Sequence, residues 1–338
     1  MARAVYPVSY TEELHRAPRL PGWPRVKPVV AARWLMTVLA LWLVLSSIDI
    51  GAVLDLVGRA ALPALGLAGF VVAMQFLLLV WRWQLVIRML GGAVVGLGAL
   101  SVFLGHSLLI GQVLPSSVGG DVARTLMLAR LTGPVAAARS VVCDRLLGLA
   151  SLAVLAVPIL PIIAGRVGGP APFLTLTIAA LGTIAAVALV LASPSIGHAV
   201  PWLGRLLATM ASDLRLALCS GKVSLVAVAV GLGSNLLSVL LIYILGSAIG
   251  ADLRAPDCLV LVPPALLASA LPISLGGWGV REGALLAAFS LVQANPAAVA
   301  ATSVMFGLTT PLCGAAVAAA SLFSGWRNLL PKGSRSGR

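Results

Sequence analysis

Charge is scarce in this chain. Only 10% of its 338 residues are Asp, Glu, Lys or Arg, and just ten are acids. A water-soluble chain of this length needs far more charge to coat its surface. Apolar residues make up 60%, in several stretches near the roughly 20 residues that cross a bilayer core of about 30 Å. A soluble α/β protein with buried strands is excluded, because such strands run only about 4–8 residues. Aromatics are 5%, and no basic run is interleaved with them, so the net charge of +13 is no nucleic-acid footprint. Cysteine is sparse as well. Cys143, Cys219, Cys258 and Cys313 are scattered with no C-x-x-C pair, and they read as small buried apolar residues. His15, His106 and His198 are dispersed, so no metal site follows from ligand spacing. No ATP-binding loop is present, and no cofactor is expected. A short cleavable signal is absent too: the first apolar stretch is as long as a full span and reads as an uncleaved anchor.

The charges that do occur mark sides. Lys and Arg concentrate on cytoplasmic loops. Residues 1–28, with five prolines and most of the basic residues before the first span, are expected to form a disordered cytoplasmic leader. Val29 to Ile48 is the first expected span, followed by an outer linker with Asp49, Asp55 and Arg59. Ala60 to Val80 returns, and Trp81-Arg82-Trp83 is expected at the cytoplasmic interface, the arginine snorkelling between aromatic anchors. Val94 to Val113 is apolar, yet Arg82 and Arg88 before it and Arg130 and Arg139 after it put both ends on the cytoplasmic side. A re-entrant hairpin over 94–131 satisfies this, with helices near 100–113 and 121–131.

Ser140 to Ala164 crosses outward, residues 166–170 turn, and Phe173 to Ala192 crosses back. Residues 193–222 carry Leu203, Leu206, Leu207, Met210 and Leu214 at helical spacing among Arg205, Arg215 and Lys222. They form either an amphipathic helix on the inner leaflet or a connector packed on the bundle. Val223 to Ile249 crosses outward to a loop with Asp252, Arg254 and Asp257. A second hairpin over 259–291 enters from that side, Ala297 to Phe323 crosses inward, and residues 326–338 are a basic cytoplasmic tail. The expected fold is an all-α polytopic membrane protein of about six full spans plus two re-entrant helical hairpins. The order of elements is span, span, hairpin, span, twice over, with three full crossings in each round, so the second round is inverted. By residue range the two membrane repeats are 29–192 and 223–325, the span at 173–192 that opens the second round being joined to the first range. Both termini face the cytoplasm.

Each hairpin carries the same break. Leu114-Pro115-Ser116-Ser117-Val118-Gly119-Gly120 and Leu271-Pro272-Ile273-Ser274-Leu275-Gly276-Gly277 share the string Leu-Pro-x-Ser-x-Gly-Gly, with Arg124 and Arg281 four residues past the last glycine. A Pro/Gly interruption at matching places in two halves points to a transport site. Backbone freed at membrane depth must be satisfied by protein or by a water-filled cavity. A returning helix offers free N–H groups and a positive dipole end to an anion, and an arginine fork suits phosphate oxygens. Pro115, Ser116, Ser117, Gly119, Gly120, Arg124, Pro272, Ser274, Gly276, Gly277 and Arg281 are therefore the candidate binding residues. Asp121, Asp144, Arg145 and Glu282 are candidate coupling or ion-pair residues, since unpaired charge at the bilayer centre is costly. Neighbours in sequence do not face each other on a helix, so pairs are expected between segments, for example Asp144 with Arg124 or Arg281. The competing explanation is that these groups only fasten the hairpins to the bundle.

Pro115 through Asp121 with Arg124, Ser140-Val141-Val142-Cys143-Asp144-Arg145 with Gly148, and Pro272 through Gly279 with Arg281-Glu282 together resemble the lysylphosphatidylglycerol synthase transmembrane-region family, which includes the flippase half of the multiple peptide resistance factor. The resemblance covers residues 30–325. It implies a multi-pass protein of the bacterial inner membrane that moves a lipid between leaflets or assists lipid or glycolipid assembly. The arginines and glycine N–H groups add the expectation of a phospholipid, glycolipid or polyprenyl-linked lipid with an anionic headgroup, moved by alternating access at the two hairpins. A lipid-biosynthetic enzyme is the expected partner of a non-transporting subunit. Two-part members carry a further aminoacyl-transferase domain; this chain stops at Arg338, so lysyl transfer is not implied. An intramembrane lipid-modifying enzyme, with Asp121 or Asp144 as base, is the remaining alternative. Whether a homodimer is the working unit stays open.

Overall fold

The computed structural model describes residues 50–58, 60–92, 94–113, 119–156, 201–219, 221–270 and 277–323. The expected leader, first span, outer turn at 166–170, return span at 173–192 and basic tail lie outside the described residues. Among those described, every element is a helix: α1 (Ile50–Gly58), α2 (Leu62–Met89), α3 (Leu97–Val113), α4 (Gly119–Thr132), α5 (Pro134–Ala156), α6 (Pro201–Cys219), α7 (Lys222–Ala248), α8 (Ala255–Ser269), α9 (Val280–Phe289) and α10 (Pro296–Phe323), with a 3₁₀ turn at Ser290–Val292.

Local sequence explains the boundaries. Gly133, at φ +85°, ends α4 in a conformation that side chains resist, and Pro134 opens α5 where its missing N–H is not needed. The Asn295 side chain accepts hydrogen bonds from the N–H groups of Ala297 (2.9 Å) and Ala298 (3.4 Å), capping α10 ahead of Pro296. α2, α7 and α10 are long and apolar enough to cross a membrane; α3 and α8 are apolar but shorter. At 1.5 Å per residue the two short helices reach roughly 25 Å or less, short of a hydrocarbon core of about 30 Å.

Both helical hairpins form. Gly111 approaches Gly120 beside the first break, whereas Leu100 and Phe103 share a core with Leu128 farther from it, so α4 runs back along α3. α8 and α9 pack together around Leu261, Ala265, Leu285 and Ala288. The halves then interlock reciprocally. α2 lies along α7, the first helix of hairpin one packs on α10, and the first helix of hairpin two packs on α5. Within a membrane no hydrophobic force drives helices together, so close approach of small residues must hold them. A Cβ at Gly314 would stand 2.9 Å from the Gly105 carbonyl oxygen, and one at Gly105 would stand 2.6 Å from Val317 Cβ. Large apolar side chains instead face outward, including Phe70 and Leu77 on α2, Leu225 on α7 and Leu312 on α10. That is a lipid-facing surface, and the molecule is a multi-pass membrane protein.

Two expectations need correction. The linker expected at 49–59 is helical over Ile50–Gly58. α2 does not end at an interface near residue 80 but runs to Met89, and Arg82 (6% exposed) and Trp83 (0%) point into the bundle. Only Trp81 is exposed. A single arginine in an apolar helix reads equally as snorkelling or as a buried pair member, and its partner is 62 residues away. Separately, α6 packs on α5: Ala211, Leu214 and Asp213 are buried, and Arg139 of α5 donates to Asp213 through Nε (2.8 Å).

Candidate functional site

Residues at the far edge of each break meet at one cavity. It has a volume of about 480 Å³ and is lined by Gly120, Asp121 and Arg124 after the first break and by Gly277 and Arg281 after the second. Helices from both halves complete its walls, with Arg82 from α2, Asp144 and Arg145 from α5, Asn235 from α7 and Thr310 from α10. Of the candidate binding residues, the structure brings Gly120, Arg124, Gly277 and Arg281 to the cavity; Gly119 is buried at the first turn of α4. Pro115, Ser116, Ser117, Pro272, Ser274 and Gly276 lie outside the described residues.

The charges form two clusters. In the first, Asp144 (3% exposed) sits between two arginines, accepting from Arg82 Nε at 2.8 Å and Arg124 Nη1 at 3.0 Å. Arg124 turns its other edge to Asp121, with Nη2 at 2.9 Å and Nε at 3.1 Å, and Asp121 also accepts from Arg145. The chain of pairs Arg82–Asp144–Arg124–Asp121–Arg145 thus joins α2, α4 and α5. Arg124 also lies 5.1 Å from the Trp83 ring centre, whose indole N–H reaches Ser140 Oγ at 3.4 Å. In the second cluster Arg281 donates from Nε to Glu282 Oε1 at 3.1 Å and stacks between Trp278 (4.6 Å) and Phe306 (5.8 Å). Cation–π contacts of this kind contribute about 0.5–2 kcal/mol when desolvated.

The expected pairing of Asp144 with Arg124 is present, but the expectation that pairs form only between segments fails. Arg124 pairs with Asp121 inside α4, and Arg281 pairs with its immediate neighbour. The reason is a cap. Gly277 and Gly279 both have φ above +80° and hold a turn, so α9 begins only at Val280. Glu282 then folds back, and its Oε2 accepts the Gly279 N–H at 2.6 Å. Its Oε1 receives Ser303 Oγ–H at 3.3 Å and the long arginine side chain, which need not lie on the opposite helix face once the carboxylate has moved. The two arginines are therefore not structurally equivalent: Arg124 stands over a turn into α4, Arg281 at the second residue of α9.

This also changes the expected role of the helix ends. Each returning helix holds its own acid in its first turn, Asp121 in α4 and Glu282 in α9. The positive dipole ends are already answered, and the guanidinium groups are what face the cavity. Four arginines (Arg82, Arg124, Arg145, Arg281) meet three carboxylates (Asp121, Asp144, Glu282), a formal balance of 4 − 3 = +1. The buried members balance, three arginines to three carboxylates, and the charge left over belongs to Arg145, whose side chain is 42% exposed.

Sequence reasoning missed several members. Arg82 was placed at an interface, and its register with Asp144 is set only by α2–α5 packing. Gly148 makes room for it: a Cβ there would stand 3.0 Å from Arg82 Nη1. Gly307 does the same for Arg281, with an added Cβ 2.7 Å from Cζ and overlapping Nη2. The indole N–H of Trp278 donates to Gln112 Oε1 at 3.0 Å, tying the second break to the end of α3. Arg82, Gln112 and Gly307 have no local signal beyond a polar or glycine residue in an apolar helix, while Gly148 and Trp278 fall within the family-like motifs without showing which side chain each meets.

A family model described as the lysylphosphatidylglycerol synthase transmembrane region matches residues 28–318. No curated protein matches the chain. The family's setting is lipid metabolism or translocation in a membrane, which agrees with a cationic cavity between helices whose outer faces meet lipid. With nearly the whole chain matched, this protein belongs to the lysylphosphatidylglycerol synthase transmembrane-region family.

Proposed function

We propose that the protein is a lipid translocase of the bacterial inner membrane, and that the cavity holds an anionic lipid headgroup during transfer between leaflets. The observation that carries this is the convergence of Arg124 and Arg281, from two separate Leu-Pro-x-Ser-x-Gly-Gly breaks, on one cavity with a formal charge of +1. The phosphate would lie between the hairpins while the tails stay in lipid. The reciprocal packing of each hairpin on the other half's last helix supports an inverted repeat, in which rocking one half on the other opens the site to alternate leaflets. Both termini then face the cytoplasm.

The test is reconstitution into vesicles with tail-labelled phospholipids, comparing wild type with Arg124→Gln and Arg281→Gln. Leaflet exchange well above protein-free vesicles, reduced at least tenfold in each variant, is expected. Exchange absent from wild type, or unchanged in both variants, refutes the reading. Chemical conversion of the lipid would instead identify an intramembrane enzyme. Topology is checked separately. Cysteines introduced at Ser117 and Ser274 should not both be labelled from one side.

A further inference from the structure

We propose that Gln112 and Trp278 form a latch between the tips of the two hairpins, one that opens in every transfer, so that Gln112 sets the rate of transfer through Trp278. This rests on the translocase reading and adds a positioning residue to that site.

The doubled break is not a faithful copy. The position after the last glycine holds Asp121 in the first copy and Trp278 in the second. Asp121 pairs within its own half, with Arg124 and Arg145. Trp278 instead reaches across. Its indole N–H donates to Oε1 of Gln112, in the last turn of α3, at 3.0 Å.

The helices of the two hairpins are otherwise held apart. Among the described residues, neither helix of one packs along a helix of the other; α3 and α9 lie on α10, and α4 and α8 lie on α5. Gln112, Gly120 and Arg124 line the cavity from the first hairpin. Gly277 and Arg281, on either side of Trp278 in sequence, line it from the second. The headgroup would sit between these two walls. Any motion that parts the tips to release it toward a leaflet therefore breaks the bond between Trp278 and Gln112.

The donor side of this bond is built to turn. Trp278 stands between Gly277 at φ +81° and Gly279 at φ +82°, a conformation that other residues resist. A few such positions absorb the backbone rotation of a hinge. The Gly279 N–H is pinned to Glu282 Oε2 at 2.6 Å, so the rotation falls at Gly277, ahead of the indole. Gln112, by contrast, is fixed in a helix. Arg281 Cζ lies 4.6 Å from the centre of the same indole, so the ring ties the cationic group of one hairpin to an acceptor on the other. A neutral hydrogen bond shifts an equilibrium about fivefold. That biases the tips toward contact without trapping them there.

The experiment uses the full chain in phosphatidylcholine vesicles carrying tail-labelled phosphatidylglycerol. Gln112→Leu removes the acceptor and leaves Trp278 on Arg281; exchange is expected to rise about fivefold. Gln112→Glu keeps an acceptor and charges it, which roughly doubles the strength of the bond, and exchange should fall about fivefold. A side chain that only packs would move both variants in the same direction. Trp278→Phe keeps a ring beneath the guanidinium but loses the N–H, and it should match Gln112→Leu. The double variant of Gln112→Leu and Trp278→Phe should be no faster than either alone. Equal rates in Gln112→Leu and Gln112→Glu, slower exchange in Gln112→Leu, or single effects that multiply in the double variant each overturn the latch and leave the translocase reading standing. Wild-type exchange no faster than in protein-free vesicles overturns both.

Discussion

Asp144 holds two arginines at once, and this makes its removal informative. Asp144→Asn keeps the shape of the side chain but deletes the charge that answers Arg82 at 2.8 Å and Arg124 at 3.0 Å. The balance moves from +1 to +2, and Arg82 loses its only ion-pair partner among the described residues. Coulomb attraction at such distances is about 4 kcal/mol at an effective dielectric of 20; removing one partner of a buried pair costs about 3–5 kcal/mol. Arg82→Gln removes charge from the other side. Asp144 keeps Arg124, so the cost should be nearer 2–3 kcal/mol. The double variant returns the balance to +1 and leaves two neutral side chains facing each other. Its cost should therefore fall below that of Asp144→Asn alone, with a coupling energy of about 2–3 kcal/mol. Thermal unfolding of detergent-purified protein, followed by intrinsic tryptophan fluorescence, reads this directly. A midpoint lowered on the order of 10 °C in Asp144→Asn, partly restored by adding Arg82→Gln, is expected. Additive losses in the double variant would refute the view that charge balance, rather than geometry alone, holds the cluster.

Other predictions follow from the same contacts. Gly307→Ala puts a Cβ 2.7 Å from Arg281 Cζ, so leaflet exchange should fall at least tenfold while the unfolding midpoint moves little; wild-type exchange would show that Arg281 need not lie where it is seen. Gly120→Ala sets a Cβ 2.5 Å from the Ser107 carbonyl oxygen, a backbone atom that cannot step aside. Overpacking of this kind costs about 1–3 kcal/mol, and the midpoint should drop accordingly, more than for Gly66→Ala, where a Cβ meets nothing within 4 Å. Trp278→Phe deletes the indole donor to Gln112 and should cost about 1 kcal/mol; Gln112→Leu in the same background should then cost little more, measured as a double-variant cycle.

The chain's membrane class and its helical character were legible from composition and from where apolar runs stop. A run long enough to span has no other economical use, whereas proline and glycine only favour a break, since Pro263 and Pro264 lie inside α8 and Pro311 and Gly314 inside α10. The pairing of Arg124 with Asp144 was also within reach, because charge in an apolar helix demands a partner. Three things were not legible. Arg82 belongs to the site only because α2 continues past residue 80 and turns that face toward α5. Arg281 pairs with its own neighbour only because a glycine turn lets Glu282 cap the helix. Gly148 and Gly307 matter only for the guanidinium groups packed on them, and Trp278 only for the partner that the fold carries to it. The reason is general to both lists. Span length, the tendency to break and the cost of lone charge are properties of a segment and its solvent, so sequence alone determines them. Which arginine meets which acid depends on the rotation and depth of one helix against another, and only the tertiary structure decides that.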